Sequence, residues 1–535
     1  MFRSEAMRQV ARLMRVAAVC ERRGITAADA LGLAREAEER DWSRREFLRA
    51  SAGAAAAVSL GLAGRAVARP VRGSPRIAIV GAGLAGLVCA DTLLRRYGLS
   101  ATIYEAHATR IGGRCFSLRG LVAGKVAENG GEFIDTTHKT MRAYANEFNL
   151  AREDVGRAPG EVAYFFDKHR FTDKEVVEEY RQLVGRMRPD LQASSGEPTF
   201  FAHNQMDVAL DQISLADYLA LHTKDLPLAR AAISEAYVAE YGLEPSEQSC
   251  LNMLLFIHLD KRRRFTPFGV FSDERFHLVG GNDAIATNIA ARLPEPVQMG
   301  MQLTELRMNA GEYELKFQGN ATRVADTVVL TLPFTVLRQV KLDPSLGLSV
   351  DKRNAIDTLG YGTNAKTMIA FNGKPWLSSG SNGSAYTDLT NVQTTWETSP
   401  MTPGAMSILT DYAGGNRGAD LKPDSVQQQV AAFLAGLESV YPGVANAAVK
   451  NGVQFVAHLE HWPSNPLSQG AYTCYRLGQF TSVAGLEGQA AGRLKFAGEH
   501  TDSFYSWQGF MEGACLSGIR AAEEIVADIR AGVFS

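Results

Sequence analysis

A run of closely spaced glycines, Gly81, Gly83 and Gly86, could bind the phosphates of a dinucleotide. Each glycine has its own task in such a loop. Gly81 allows the tight turn, Gly83 lets the backbone approach a pyrophosphate, and Gly86 lets the following helix pack close to a strand. A helix that starts here directs free N–H groups and the positive end of its dipole at the phosphates. By itself, this spacing is weak evidence for a dinucleotide site.

The residues around the glycine run strengthen this interpretation. An apolar strand over 76–80 leads into the run, a helical pattern covers 84–96, and a second strand over 101–104 ends at Glu105. An acidic residue at that point is placed to accept hydrogen bonds from a ribose. Strand, glycine turn, helix and acidic residue, in this order, predict a dinucleotide-binding Rossmann unit.

A second corner of the same kind lies near the carboxyl end of the chain. A strand ends at Phe496, and Gly498 and Glu499 follow it before a long helical pattern over 509–530. A helix N-terminus that faces a flavin there would stabilise the anionic reduced ring. The nucleotide site is therefore expected to need both ends of the chain.

The segments between these corners contain both helical and strand patterns. Residues 140–265 are mainly helical in pattern, as in 141–148 and 228–241. A β-hairpin is predicted over 297–317, with its turn at 309–311. Further strands are predicted at 328–332, 365–371, 406–411 and 454–458.

Together these elements predict an α/β fold with two domains, and the 535 residues are long enough for both. A Rossmann-like dinucleotide-binding domain is expected to be discontinuous and to use residues 74–140, 275–340 and 469–535; the family resemblance described below implies that it is an FAD-binding domain. An α+β substrate-binding domain of mixed sheet and helices is expected to use residues 141–274 and 341–468.

Residues 1–68 have the features of an export signal. Ser43-Arg44-Arg45 opens a twin-arginine sequence, residues 50–64 are small and weakly apolar, and Ala66-Val67-Ala68 offers a cleavage site. This order predicts a twin-arginine (Tat) signal peptide and a bacterial periplasmic or secreted protein. The alternative is an alanine-rich helix of the mature fold.

Composition excludes several other classes of protein. The net charge of -2 favours neither nucleic acid nor a polyanionic partner, and no apolar run reaches the roughly 18 residues of a membrane span. The six cysteines are widely spaced, so we expect small buried residues and not a disulfide framework. His458 and His461 lack a third ligand, so no metal site is expected.

These motifs, with Gly112-Gly113-Arg114, Gly130-Gly131-Glu132 and the apolar segment 328–333, together resemble those of the flavin-containing amine oxidases. That family includes monoamine, polyamine and L-amino-acid oxidases. The resemblance covers nearly all of the chain from Pro75 to Ala527.

The resemblance implies an FAD cofactor. It places Glu105 at the adenosine ribose, Arg114 near the pyrophosphate, Glu499 near the ribityl chain and the backbone of Met511 at the flavin ring. The residues expected to bind FAD are Gly81, Gly83, Leu84, Ala85, Gly86, Glu105, Ala106, Gly113, Arg114, Gly130, Gly131, Glu132, Leu303, Gly498, Glu499, Gly509, Phe510 and Met511.

Four further residues resemble the chemical groups of the family. Lys366 resembles the lysine that holds a water near flavin N5, and Trp462 resembles the tryptophan beside the flavin. Tyr472 and Phe510 resemble the two walls of an aromatic cage for the substrate. The alternatives are a solvated strand position for Lys366 and ordinary core packing for the aromatic residues.

The sequence departs from the family in three places. Ala471 stands where some members attach FAD to a cysteine, so we expect non-covalent FAD. Phe510 replaces the tyrosine common at the second cage wall. The segment 131–135 resembles the acidic segment of polyamine oxidases, and the arginine-containing segment of snake-venom L-amino-acid oxidases is not obvious there.

The implied reaction is transfer of a hydride from the amine-bearing carbon to flavin N5. Reduced flavin then converts O2 to H2O2, and the imine hydrolyses to a keto acid or aldehyde plus ammonia. An L-amino-acid oxidase is the first choice, with Arg476 as the cation for the substrate carboxylate or, equally, as a surface strand residue. A mono-, di- or polyamine oxidase, with Glu132 attracting a distal ammonium, is the alternative.

A basic L-amino acid would satisfy both substrate hypotheses. The same motifs would also suit a flavin amino-acid monooxygenase, a flavin desaturase or a non-catalytic FAD-binding protein. The expected partners are a small-molecule amine or amino acid, O2 and the Tat export machinery. We expect no nucleic acid and no stable membrane span, and a homodimer is left open.

Overall fold

The computed structural model describes residues 75–255, 274–502 and 507–534, together with Ala17, Cys20 and Thr26. The twin arginines, the small-residue run and the cleavage site of the predicted signal, residues 43–68, lie outside the described residues. None of the helices in the described part of the chain combines the length and apolarity needed to cross a membrane.

Strands and helices are numbered here in chain order. The strands are β1 Ile77–Val80, β2 Thr102–Tyr104, β3 Ser117–Arg119, β4 Val126–Glu128, β5 Arg152–Asp154, β6 Glu161–Phe166, β7 His169–Phe171, β8 Phe276–Leu278, β9 Leu303–Asn309, β10 Glu312–Phe317, β11 Thr322–Ala325, β12 Thr327–Leu330, β13 Lys341–Leu342, β14 Ala365–Asn372, β15 Ser381–Leu389, β16 Val392–Thr398, β17 Met406–Ala413, β18 Lys450–Asn451, β19 Gln454–Phe455, β20 Ala457–His461 and β21 Leu494–Phe496. The helices are α1 Leu84–Tyr97, α2 Lys139–Glu147, α3 Asp173–Ala193, α4 Gln205–Asp211, α5 Leu215–His222, α6 Pro227–Tyr241, α7 Asp283–Arg292, α8 Phe334–Leu337, α9 Val350–Thr358, α10 Gly415–Asp420, α11 Val426–Leu437, α12 Val444–Ala447, α13 Gln479–Ser482 and α14 Met511–Arg530.

A parallel sheet of four strands, in the order β2-β1-β12-β21, joins the two ends of the described chain. Ile79 lies opposite both Ile103 and Val329 in register. One face of β1 packs with α1 and α14, and the other face packs with the β9–β10 hairpin. All residues of β1 and β12 are buried, because a parallel sheet is covered on both faces.

A larger sheet of seven strands, in the order β20-β14-β17-β16-β15-β6-β7, forms the second layer of the fold. Most of its pairs are antiparallel, but β15 and β6 are parallel. Tyr412 of β17 lies opposite Lys366 on one side and Thr394 on the other. Residues of three neighbouring strands, β14, β17 and β16, therefore lie side by side in this sheet.

Several predicted elements are confirmed with small shifts. The helix predicted over 228–241 is α6, and the predicted hairpin is β9 and β10 with its turn at residues 310–311. The strand predicted at 365–371 is β14, and the one predicted at 406–411 is β17, extended by two residues to Ala413.

The prediction that residues 140–265 are mainly helical is wrong in one part. Strands β5, β6 and β7 lie between α2 and α3. The sequence of β6 is an almost continuous apolar run, and such a short run cannot be told from a buried helix by its period. Strands β15 and β16 were also missed, because buried Ser, Thr and Gln side chains hide the alternation there.

The sheets follow the predicted segments closely, although the domain division stays a prediction. All four strands of the parallel sheet come from segments assigned to the FAD-binding domain, and all seven strands of the larger sheet come from segments assigned to the substrate domain. Two smaller sheets cross the predicted boundaries, because β5 pairs with β8 and β13 pairs with β9.

A buried ion triad holds three of the short strands together. His277 of β8 contacts the carboxylate of Glu128 on β4 at 2.9 Å and that of Glu153 on β5 at 2.8 Å. Burial would lower the pKa of His277, but the hydrogen bonds to both carboxylates outweigh it and raise the pKa to about 10. The imidazolium is thus the cation that makes it possible to bury two carboxylates behind the loop that follows β4.

We predict that His277→Gln destabilises the protein strongly, because it leaves two buried carboxylates without a cation, a loss of roughly 3–5 kcal/mol. The folded-state pKa of His277 lies above the unfolded value, so its stabilising charge is fully present below about pH 6.5 and is lost as the pH rises through about 10. The melting temperature of the wild type should therefore fall over this range, and that of the variant should fall less.

The control is His169→Gln, because His169 is exposed on β7. This variant should melt like the wild type at each pH. A His277→Gln protein with an unchanged melting temperature and an unchanged pH slope would contradict the assignment of charge to His277.

Candidate functional site

One continuous cavity runs from the glycine loop after β1 to the wall of the seven-stranded sheet. It encloses about 1770 Å³ of space, part of which is open to solvent. Glu105, Ala106 and Met301 line one end, and Lys366 and Tyr472 line the other.

The three glycines of the loop have different surroundings, which agree with the separate tasks predicted for them. Gly81 has φ +109, and a Cβ there would lie 2.3 Å from Oγ1 of Thr331. A Cβ on Gly86 would lie 2.1 Å from the carbonyl oxygen of Gly81, so α1 packs tightly on the turn. Gly83 is different, because its nearest neighbour would be the carbonyl oxygen of Gly112 at 3.9 Å. Gly83 therefore keeps the backbone open towards the cavity.

The first turn of α1 is suited to an anion. Its N-cap residue, Gly83, provides no side-chain cap, and the first turn has no acidic residue. The backbone N–H groups and the helix dipole are thus available to a pyrophosphate. Glu105 is fixed beside this turn, because its carboxylate accepts hydrogen bonds from the N–H groups of Ala82 and His107, each at 2.8 Å.

The second predicted corner lies on the same cavity. Helix α14 begins at Met511, and its N-cap, Phe510, makes no side-chain cap. A Cβ on Gly131 would lie 2.7 Å from Cγ of Met511, so a side chain at position 131 would have to displace the Met511 side chain. The carboxylate of Glu512 accepts hydrogen bonds from the α2 backbone. This acidic side chain therefore binds the start of α2 and not the N–H groups in the first turn of α14.

All but one of the residues predicted to bind FAD line the cavity. The exception is Gly86, which packs against the turn as described above. Arg114 donates to the carboxylate of Glu499 and to the carbonyl oxygen of Ala471, each at 2.8 Å. These residues fit FAD, because two uncapped helix starts and an open glycine face the same space.

The predicted aromatic residues line the other end of the cavity. Tyr472, Phe510 and Trp462 all contribute to its wall. The indole N–H of Trp462 donates to the carbonyl oxygen of Asn129 at 2.9 Å, which holds the ring against the loop after β4. The hydroxyl groups of Tyr472 and Tyr412 lie 2.5 Å apart.

Lys366 points inward, as predicted, and is 4% exposed. Its ammonium group donates to the carbonyl oxygens of Glu128 at 3.1 Å and Gly130 at 2.8 Å. It also pairs with the carboxylate of Glu132 at 2.7 Å. The alternative of a solvated strand lysine is therefore wrong.

Three aromatic residues of the wall were missed from the sequence: Phe133, Trp396 and Tyr412. The ring of Trp396 lies 5.8 Å from that of Phe133 and 5.1 Å from that of Tyr412. Trp396 lies on β16, a strand that was not predicted. Tyr412 could have been found, because it continues the alternation of the strand predicted at 406–411 by one residue.

The structure places two candidate substrate anchors differently from the sequence-based hypotheses. The side chain of Arg476 is 46% exposed and pairs with Glu247 at 3.1 Å, outside the cavity wall. The surface interpretation of Arg476 therefore agrees with its position, and the carboxylate-binding interpretation does not. Glu132 lines the cavity, but its carboxylate is already bound to Lys366 and Trp396.

His461 uses both ring nitrogens in contacts within the protein, and Nε2 of His458 lies 3.9 Å from the carboxylate of Glu460. Nδ1 of His461 contacts Ser464, and its Nε2 contacts the carbonyl oxygen of Gly418. Within the described ranges, no cluster of three potential metal ligands occurs.

Comparison with known proteins agrees with this geometry. A family model described as flavin containing amine oxidoreductase matches residues 84–526. The chain is 24% identical to the putative L-amino-acid oxidase YobN of Bacillus subtilis over 84% of this chain and 94% of that protein. It is 27% identical to the putative flavin-containing monoamine oxidase AofH of Mycobacterium tuberculosis over 84% of this chain and 96% of that protein.

A solved structure shows the same fold. Cyclohexylamine oxidase from Brevibacterium oxydans aligns with a TM-score of 0.71 and 19% identity, over 85% of this chain and all of that chain. The α/β architecture with one parallel and one mainly antiparallel sheet is therefore shared with that protein.

We predict that Gly83→Val folds but fails to retain FAD. The backbone of Gly83 is extended (φ -73), and its Cβ position is open, so valine fits without strain. The added side chain would instead occupy the space where the pyrophosphate must approach. The purified variant should lack visible flavin absorbance and melt within a few degrees of the wild-type apoprotein.

The matched control is Gly185→Val in α3, where nothing lies within 4 Å of the new Cβ. This control should retain wild-type flavin content. A Gly83→Val protein that retains as much flavin as the control would show that the loop does not hold the cofactor.

Proposed function

The chain belongs to the flavin-containing amine oxidoreductase family, and we propose that it is an FAD-dependent oxidase that deaminates a primary amine. The observation that carries this proposal is the continuous cavity. It joins an uncapped helix start and an open glycine at one end to Lys366, Tyr472 and Phe510 at the other. One site of this kind can bind a dinucleotide cofactor and present a substrate to it.

FAD, when bound, would supply the redox chemistry: two-electron oxidation of the amine-bearing carbon, coupled to reduction of O2 to H2O2. The first turns of α1 and α14 bind and orient the cofactor through backbone N–H groups. Tyr472, Phe510 and Trp396 line the substrate end, where their rings would displace water from a bound amine. Because desolvation disfavours an ammonium ion, this aromatic wall favours the neutral amine that reacts.

The oxidised substrate is an imine, which water hydrolyses to a carbonyl compound and ammonia. For each carbonyl formed, one O2 is consumed and one H2O2 is released. This one-to-one ratio separates an oxidase from a monooxygenase, which would place an oxygen atom from O2 in its product.

We propose that FAD is held without a covalent bond. Ala471 lies beside Tyr472 on the cavity wall, and its methyl side chain cannot form a thioether. Acid precipitation should therefore release the yellow colour into the supernatant. Colour that stays with the precipitate would contradict this.

Amines without an α-carboxylate fit the described wall best. Each arginine and lysine that lines the cavity within the described ranges already has a partner. Arg110 donates to the carbonyl oxygen of Gly113, Arg114 pairs with Glu499, and Lys366 pairs with Glu132. A buried substrate carboxylate without a cation would be costly.

L-Amino acids are the second candidate class, and the names of the relatives favour them. The chain is similar to the putative L-amino-acid oxidase YobN and, at 22% identity, to the L-amino-acid oxidase of Pseudechis australis. An α-carboxylate would then require a cation that is not paired as described above.

We predict that phenethylamine is a better substrate than L-phenylalanine, because the two molecules differ only by the carboxylate. Of the described cations on the cavity, Arg114 and Lys366 are paired with carboxylates and Arg110 is hydrogen-bonded to Gly113 at the cofactor end, so kcat/KM should be at least about tenfold higher for the amine, equivalent to about 1.4 kcal/mol. A peroxide-coupled assay with carbonyl quantification measures both. A preference for the amino acid would support the second candidate.

The control is Arg476→Ala, since Arg476 lies outside the cavity wall. It should leave the ratio of the two kcat/KM values unchanged. A selective loss of L-phenylalanine turnover would restore Arg476 as the carboxylate anchor.

We also propose export by the twin-arginine route, which carries folded proteins and so suits an enzyme that binds its cofactor before export. The support is the order of Arg44-Arg45, the small-residue run 50–64 and Ala66-Val67-Ala68 in the sequence. Protein recovered from periplasm should begin just after Ala68. A mature protein that begins near Met1 would contradict the proposal.

A further inference from the structure

The carboxylate of Glu132 has more partners than a substrate anchor would be expected to have. One oxygen accepts from the ammonium of Lys366 at 2.7 Å. The other accepts from the indole N–H of Trp396 at 2.9 Å and from the hydroxyl of Thr398 at 3.3 Å. Glu132 is 7% exposed and lines the cavity. The negative charge of Glu132 is therefore already paired with groups of the protein itself.

The ammonium group of Lys366 is also fully occupied by partners within the protein. An ammonium group has three hydrogen-bond donors. Glu128, Gly130 and Glu132 provide three acceptors, at 3.1, 2.8 and 2.7 Å. All three protons of the Lys366 ammonium can therefore be donated to residues 128–132. The carboxylate of Glu132 balances the positive charge of the lysine.

The partners of Glu132 lie on different strands of the larger sheet. Lys366 belongs to β14, and Trp396 and Thr398 share one face of β16. Strand β17 lies between β14 and β16, and its Thr410 contacts the hydroxyl of Thr398 at 2.6 Å. One carboxylate thus links the glycine loop of the cofactor end to strands of the substrate wall.

The aromatic wall is connected to the same group. The ammonium of Lys366 lies 5.5 Å from the ring centre of Trp396 and 5.8 Å from that of Tyr412. Tyr412 in turn contacts the hydroxyl of Tyr472, the predicted cage residue, at 2.5 Å. A displacement of Lys366 would therefore disturb both the loop at Gly130 and the substrate wall.

We propose that Glu132 is a positioning residue that acts through Lys366 and Trp396, and that it is not the anchor of a substrate ammonium. It holds the lysine charge against Gly130, at the boundary between the cofactor end and the substrate end. It also fixes the Trp396 ring in the substrate wall. This inference rests on the proposed function for its kinetic part, and its spectroscopic part requires only bound flavin.

The test compares Glu132→Gln with Glu397→Gln. Glu397 is a matched control, because its carboxylate also pairs with a lysine, Lys374 at 2.8 Å, and with a tryptophan, Trp376 at 3.3 Å. Glu397 lies on the same strand as Trp396 but does not line the cavity. Both substitutions remove one buried negative charge and keep the side-chain shape.

We expect both variants to melt at a lower temperature than the wild type. Only Glu132→Gln should also shift the visible absorption bands of bound flavin and lower kcat at least about tenfold, with KM for phenethylamine within about threefold. Glu397→Gln should keep the wild-type spectrum and kcat. A Glu132→Asp protein should recover part of the spectrum and of kcat, because it restores the charge with a shorter reach.

Two results would overturn the proposal. If Glu132→Gln raises KM for a diamine such as putrescine while kcat and the flavin spectrum stay unchanged, Glu132 is a substrate anchor. If it loses only stability, as Glu397→Gln should, its role is structural alone. If no amine bleaches the wild-type flavin, the proposed function fails, while the comparison of spectra still decides the role of Glu132.

Discussion

The structure depends on a close approach of backbone segments at one edge of the parallel sheet. Strands β1, β12 and β21 run in the same direction, so their carboxyl ends deliver Gly81, Thr331 and Gly498 to the same place. Side chains at this edge would keep the segments apart, as the 2.3 Å distance between a Cβ on Gly81 and Oγ1 of Thr331 shows. The same constraint extends into the helices, because a Cβ on Gly518 of α14 would lie 2.3 Å from the carbonyl oxygen of Ala85 in α1. Close packing of these helices brings both uncapped helix starts to one cavity.

Buried ion pairs hold the loop that follows β4. Glu128 faces His277 on one side of the loop, and Glu132 faces Lys366 on the other. Each pair is nearly excluded from water, and isolated charges of this kind would be too costly to bury. The loop is therefore held by two ion pairs at its ends, while Gly130 and Gly131 between them leave room for neighbouring groups. This arrangement fixes the glycine backbone at the cavity through contacts on both sides.

Local patterns predicted the elements whose signals lie close together in the sequence. The glycine run with Glu105, the hairpin turn at residues 310–311 and helix α6 are of this kind. The predictions failed where burial is decided by distant segments. Strand β6 is covered on both faces and so lacks alternation, and β16 buries threonine and glutamine, whose polarity the sequence alone assigns to the surface.

The sequence by itself predicted the glycine turn after β1, because its glycines and Glu105 act within a few residues of their own strand and helix, and the family resemblance added most other residues that line the cofactor end. It also placed Lys366 and Tyr472 on the cavity. Which charged side chains pair with each other, and so are not available to bind a substrate, was decided only by the tertiary structure. Lys366 and Glu132 are 234 residues apart in the chain, yet they neutralise each other, while Arg476, four residues from Tyr472, leads out to the surface. Charge pairing across the fold depends on distances in space, and proximity in sequence carries no information about it.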